Sequence, residues 1–257
     1  MERTLGELDN TFDSATRLGG GIEGVLFDID DTLVDLRTAA IDAFLAMVDD
    51  LLEGVTSERL MFIAEDFADD GAGAYELYMA GEVSFLGQRQ LRLNRAFDLV
   101  GHKPLSAQSY LRWAEKYECL VKDSWKPFDD VLPHLAALSG WGIPYGAVSN
   151  NVEAYQRMKL ERSGLTGFAV VIGSDTAGAP KPDPAPFLAG CSQLDTTPGR
   201  TLYVGDNPIN DVQGAENAGL VAIFVDRESK HAVQSAFTVS NLEQLTVFIS
   251  QSIDSRE

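Results

Sequence analysis

The chain has 257 residues, 45% apolar and 23% charged, enough to bury a sizeable core in one large domain or in a core with an inserted subdomain. Its net charge of −19 spreads a negative field over most of the surface, which argues against nucleic acid and anionic membranes as partners. Cys119 and Cys191 are too few and too far apart for a disulfide framework. They read as free thiols, small buried hydrophobes in a reducing compartment.

The first 21 residues carry Glu2, Arg3, Glu7 and Asp9, lack an apolar leader core and end in Gly19-Gly20-Gly21. They read as a flexible arm, and the protein is expected to be cytoplasmic. Residues 22–29 form the first of five short apolar runs; the others are 143–149, 168–173, 201–205 and 220–225. Each ends close to Gly, Asp, Asn or Ser, as buried parallel strands do.

Residues 35–125 break that rhythm. Ile41, Phe44, Leu45, Val48, Leu51 and Leu52 recur at helical spacing, as do Leu60, Ile63, Ala64 and Phe67, then Leu93, Phe97 and Val100. Ser57, Ser84 and Ser106 stand at N-cap positions. This is an all-helical insert, expected to act as a mobile lid or substrate-recognition subdomain. Arg89, Arg92 and Arg95 share one helical face, a solvated stripe or a hand for an anionic substrate. Beyond the insert, strands and helices alternate. Helices are expected around Val131–Leu138, Glu153–Ser163, Pro184–Leu194 and Ile209–Ala218, with a last one capped by Asn241. Strands alternating with helices give an α/β fold, a Rossmann-like doubly wound parallel sheet with an inserted helical cap. The core is assigned to 22–34 and 126–257.

In such a sheet ligands bind beyond the carboxyl ends of the strands, so the residues there should converge. They are Asp28 and Asp30, Ser149 and Asn150, Lys181, and Asp206 with Asp211. Carboxylates crowded at strand ends need a cation, and Asp28 with Asp206 would suit Mg²⁺, which prefers hard oxygen ligands. Asp28 would then attack a phosphoryl group, while Asp30 protonates the leaving oxygen and later deprotonates water. Ser149, Asn150 and Lys181 would hold the phosphate, and Asp211 would support the metal or Lys181 from behind. His102, His134 and His231 have no metal-ligand spacing. Taken alone, Ser149-Asn150-Asn151 and Gly205-Asp206-Asn207-Pro208 read as turns or caps and Lys181 as a solvated loop lysine; their order with the Asp28–Asp31 acids at successive strand ends makes them a site.

The segments Asp28-Ile29-Asp30-Asp31-Thr32-Leu33, Val148-Ser149-Asn150, Lys181-Pro182-Asp183-Pro184 and Gly205-Asp206-Asn207-Pro208-Ile209-Asn210-Asp211 resemble, in order, the four motifs of the haloacid dehalogenase superfamily. The resemblance implies a Mg²⁺-dependent aspartyl nucleophile at Asp28 and an acid/base at Asp30 whose main-chain carbonyl also ligates the metal. It further implies a metal carboxylate at Asp206, phosphate contacts at Ser149 and Lys181, a structural threonine at Thr32, and a helical cap that selects substrate. The dehalogenases lack the aspartate corresponding to Asp30. The expected activity is therefore hydrolysis of a small phosphorylated metabolite, with a sugar-phosphate mutase or a catalytically idle phosphate-binding domain as alternatives.

Overall fold

Hydrogen bonding between runs of Val, Ile, Leu and Tyr builds one six-stranded, all-parallel sheet. Its strands are β1 (Gly24–Phe27), β2 (Tyr145–Val148), β3 (Val170–Ile172), β4 (Thr201–Gly205), β5 (Val221–Val225) and β6 (Thr238–Val239), in the order β3-β2-β1-β4-β5-β6. The computed structural model describes residues 21–228 and 237–254, so residues 1–20 of the expected N-terminal arm and His231 lie outside the described residues. The strand order turns back at the β1–β4 boundary, where Phe27 pairs with Val204. The Asp28 amide continues that ladder by donating to the Val204 carbonyl at 2.8 Å. Asp28 and Asp206 thus leave the sheet side by side at its topological switch point.

Packing separates the chain into two units, one comprising the residues up to Val34 and from Pro127 onward, the other Asp35–Lys126. The second unit contains only helices among its described elements: α1 (Leu36–Val48), α2 (Ser57–Ala68), α3 (Ala74–Met79), α4 (Phe85–Leu99) and α5 (Ala107–Asp123). Side-chain oxygens of Asp35, Thr56, Ser84 and Ser106 accept the first free amides of α1, α2, α4 and α5. The expected cap Ser57 is instead the first helical residue of α2, because Thr56 has the extended backbone a cap needs. Phe67 centres the core of this unit, with ring centroids 4.8 Å from Phe44 and 5.5 Å from Tyr117.

Of the arginine stripe only Arg95 faces solvent; Arg89 and Arg92 are turned into the helices, and all three are engaged within the insert. Arg92 donates to the carbonyls of Phe67 and Ala68 at the end of α2, Arg89 pairs with Glu118 at 2.8 Å, and Arg95 grips Asp66. These side chains tie α4 to α2 and α5. Arg92 also satisfies helix-end carbonyls that would otherwise lack donors. Cys119 is exposed rather than buried, since it lies on the outer face of α5; Cys191 is buried, and both are free.

In the first unit the sheet is covered on both faces. Leu26, Val148, Phe187, Tyr203 and Phe224 pack together on one side, with α9 (Pro184–Leu194) supplying Phe187. The alternating residue Phe27 faces the other side, where its ring meets His134 of α6 (Val131–Gly140) edge-on at 5.7 Å. The remaining helices are α7 (Glu153–Arg162), the short α8 (Ser174–Ala177) and α10 (Gly214–Asn217), and α11 (Leu242–Asp254). Asn241 accepts the Gln244 amide at 3.0 Å, as the expected cap of α11 should. The helix expected over Ile209–Ala218 departs from regularity: Pro208–Gln213 is a π-helical turn, and α-geometry begins only at Gly214.

Candidate active site

The loop after β1 is a tight turn in which the amides of Leu33 and Val34 both donate to the Ile29 carbonyl, at 3.0 and 2.9 Å. Asp31 takes a left-handed backbone, φ 58°, which aspartate tolerates better than most residues. Arg227 fixes the turn from outside by donating to the Thr32 carbonyl at 2.8 Å while forking onto Asp130. Thr32 hydroxyl lies 3.4 Å from Asp206 Oδ1, so the β1 and β4 loops are stitched to each other.

Lys181 is the centre of the site. It is 4% exposed, and its Nζ has four acceptors within hydrogen-bonding distance for its three hydrogens: Asp28 Oδ1 at 2.5 Å, Asp211 Oδ1 at 2.7 Å, the Tyr203 hydroxyl at 2.9 Å and the Val148 carbonyl at 3.1 Å. Burial works against its charge, but Asp211 and Asp28 outweigh that and raise Lys181 well above the ordinary lysine range. Asn150 places this lysine. Its Nδ2 donates to the Lys181 carbonyl at 2.9 Å, and its Oδ1 accepts the Lys181 amide at 2.6 Å. The Asn150 amide, expected to touch phosphate, thus makes two bonds to main chain.

Asp211 reaches the same point through the π-helical turn. Its Oδ2 accepts the Asn207 amide at 2.9 Å. Its side chain passes so close to Gly205 that a Cβ there would stand 2.4 Å from Asp211 Cγ. Glycine at the end of β4 is what makes room.

One carboxylate oxygen each from Asp28, Asp206 and Asp211 lies within 4.8 Å of the others. Burial pushes Asp28 up to about 7; Lys181 opposes this, while Asp211 and Asp30 add to it. Asp206 is raised well above the usual carboxylate range by burial and then by Asp28 and Asp211. Three carboxylates against one ammonium leave surplus negative charge in a desolvated place, and all the donors are hard oxygens. That set fits a divalent cation such as Mg²⁺.

Of the expected metal set Asp28, Asp30 and Asp206, Asp30 is assigned through its main-chain carbonyl, and its carboxylate is engaged elsewhere. Its Oδ1 pairs with Lys159, and its Oδ2 accepts from Gln156 Nε2 at 2.9 Å, both residues of α7. The same Gln156 nitrogen donates to Ser149 Oγ at 2.6 Å. The sequence reading missed Gln156, Lys159, Tyr203 and Arg227. A signal was available for the first two: they stand three apart, on one helical face, beside Leu160, and the buried face of α7 is made of these residues. Tyr203 lies inside an apolar strand, and nothing in the sequence marks its hydroxyl.

A family profile described as haloacid dehalogenase-like hydrolase matches residues 22–219. The chain belongs to the haloacid dehalogenase-like hydrolases. The helical insert between β1 and β2 occupies the position of that family's cap. The chain is 28% identical to a glyceraldehyde 3-phosphate phosphatase of Methanopyrus kandleri over 80% of its own length and 84% of the relative's. It is 30% identical to a phosphoglycolate phosphatase of Salmonella typhi, covering 79% of this chain and 80% of that one. Among solved structures, the HAD-hydrolase YfnB of Bacillus subtilis bound to magnesium matches with a TM-score of 0.72 at 20% identity, over 90% of this chain and 99% of that one. An L-2-haloacid dehalogenase of Xanthobacter autotrophicus matches with 0.68 at 21%, over 89% and 98%. Likeness at that identity speaks to the shared fold alone. No described helix of this hydrolase is long and apolar enough to cross a membrane.

Proposed function

We propose that this hydrolase cleaves small phosphomonoesters through an aspartyl-phosphate on Asp28, with Mg²⁺ as cofactor. The observation that carries the reading is the unequal setting of two carboxylates on one loop: Asp28 is buried against Lys181 Nζ, whereas Asp30 is half-buried and turned to α7. A dehalogenase has no use for the second one. The phosphatase relatives, each covered over about four-fifths of its length, support the same choice.

In this reading Asp28 and Asp206 hold the cation together with the Asp30 main-chain carbonyl, and Asp211 stands behind them. When bound, Mg²⁺ would neutralise the carboxylate cluster and withdraw charge from the phosphoryl oxygens. Asp28 attacks phosphorus; the Asp28–phosphorus bond forms as the ester phosphorus–oxygen bond breaks, and the departing oxygen takes a proton from Asp30. Asp30 then accepts a proton from water, whose oxygen attacks phosphorus, returning Asp28 as carboxylate and releasing inorganic phosphate. Ser149 and Lys181 carry the phosphate charge, while Asn150 serves to place Lys181. The helical insert acts as the lid that selects the ester. We place this activity in the cytoplasm, where free thiols persist.

The test is hydrolysis of 4-nitrophenyl phosphate with Mg²⁺ by wild type and Asp28→Asn. Loss of about a thousandfold or more in kcat with an unchanged circular dichroism spectrum is expected. Undiminished turnover by the variant would overturn the nucleophile. A sugar phosphate giving an isomer in place of inorganic phosphate would point to a mutase.

A further inference from the structure

The hydrogen bonds at Ser149 have a direction, set by a residue outside the four strand-end motifs. Gln156 is fully buried, and its Nε2 uses both hydrogens, one on Asp30 Oδ2 and one on Ser149 Oγ. Its Oε1 is buried without a partner among the described residues. An orphaned buried acceptor calls for a reason. Here the reason is Asp30: in the ionised form that pairs with Lys159 it accepts and does not donate, so turning the amide over would set oxygen against oxygen. While Asp30 is ionised, Gln156 is locked with N–H toward Ser149.

Ser149 Oγ also accepts the Asn151 amide at 3.3 Å. A hydroxyl has two lone pairs and one hydrogen, and both lone pairs are taken. We propose that Gln156 is a positioning residue that makes Ser149 a dedicated hydrogen-bond donor to a phosphate oxygen, its polarity imposed by Asp30. One face of α7 thereby sets the acid/base after β1 and the phosphate-holding hydroxyl after β2 together. The proposal rests on the phosphatase reading above, in which Ser149 touches phosphate.

The experiment measures inhibition by inorganic phosphate during Mg²⁺-dependent hydrolysis of 4-nitrophenyl phosphate. Wild type, Ser149→Ala, Gln156→Met and the double variant are compared. Each single variant is expected to raise the inhibition constant about ten- to a hundredfold, the range for a lost hydrogen bond to a charged group. The double variant should be no worse than Ser149→Ala alone, since Gln156 acts through that hydroxyl. Gln156→Glu keeps the size but presents an acceptor, so it should weaken phosphate at least as much, and it carries the comparison should Gln156→Met fold poorly. An inhibition constant within about twofold of wild type in both Gln156 variants, or single effects that multiply in the double variant, overturns the proposal. Wild type that hydrolyses no ester would overturn the phosphatase reading itself. An active wild type with an unchanged constant in Ser149→Ala would overturn the Ser149 assignment and this proposal with it.

Discussion

Lys181→Met keeps the apolar stem of a buried side chain and removes only the ammonium. That ammonium stands 2.5 Å from Asp28 and 2.7 Å from Asp211. Removing one partner of a buried ion pair costs about 3–5 kcal/mol, because the charge left behind has neither water nor a counter-ion. Two carboxylates are stranded here, with Asp206 inside the same 4.8 Å cluster. The upper end, about 5 kcal/mol, is therefore expected when divalent cations are removed with EDTA. Urea denaturation followed by circular dichroism, with EDTA and then with excess Mg²⁺, is the assay. A cation bound only by the folded state stabilises it, and in the variant it also replaces the missing counter-charge, so Mg²⁺ should recover more stability there than in wild type. Turnover should stay at least about a hundredfold down even with Mg²⁺, because the charge beside Asp28 and phosphate is gone. A loss below about 1 kcal/mol in EDTA, or equal recovery by Mg²⁺ in both proteins, would refute the view of Lys181 as the internal counter-ion.

Gly205→Ala should cost about 1–3 kcal/mol and lower Mg²⁺-dependent turnover, since the new methyl meets Asp211, which is itself buried; thermal melting and phosphate release measure the two, and unchanged values would contradict the close approach. His134 gives a pH signature. Burial depresses it from 6.5 to about 4, against a smaller opposing pull from Asp130. Thr246 Oγ1 already donates to the Leu242 carbonyl, so His134 Nδ1 carries the proton given to Thr246, and Nε2 is left buried without a partner among the described residues. The unfolded chain takes up the second proton first; this stabilising contribution is whole above pH 6.5 and lost as pH falls through about 4. Its full size is about 3 kcal/mol at about 1.4 kcal/mol per pH unit. His134→Gln should flatten the urea midpoint over that window, and an unaltered pH profile would show that the histidine is not the group responsible.

The five longer strands were legible because each is a continuous apolar run stopped by a polar or small residue, the pattern of a strand buried on both faces. β6 was not, because two residues at the sheet edge, Thr238 and Val239, have no run to show. The convergence of Asp28, Lys181, Asp206 and Asp211 followed from topology, since parallel strands present their carboxyl ends on one edge. What stayed hidden depends on side-chain direction. Asp30 turning toward α7, the Asn150 amide closing on Lys181, and the π-helical turn that lets Asp211 reach Lys181 and the Asn207 amide are set by partners remote in sequence. Arg92 illustrates the same limit. Its helical spacing announces a face, but only the uncapped carbonyls of α2 explain why this side chain is turned inward.

The helical insert departs after Val34, and the sheet unit resumes at Pro127, and those two residues form an antiparallel bridge. Phe128 adds a further rung to Leu33. The sheet unit therefore meets the insert as a loop whose ends already touch. The entropy of closing such a loop grows only slowly with its length, so its content bears little on the stability of the sheet. Helices could be exchanged, lengthened or remodelled between those two rungs while Asp28, Lys181 and Asp206 kept their places. In the proposed function, the part that would choose the ester and the part that would break it are then free to change at different rates.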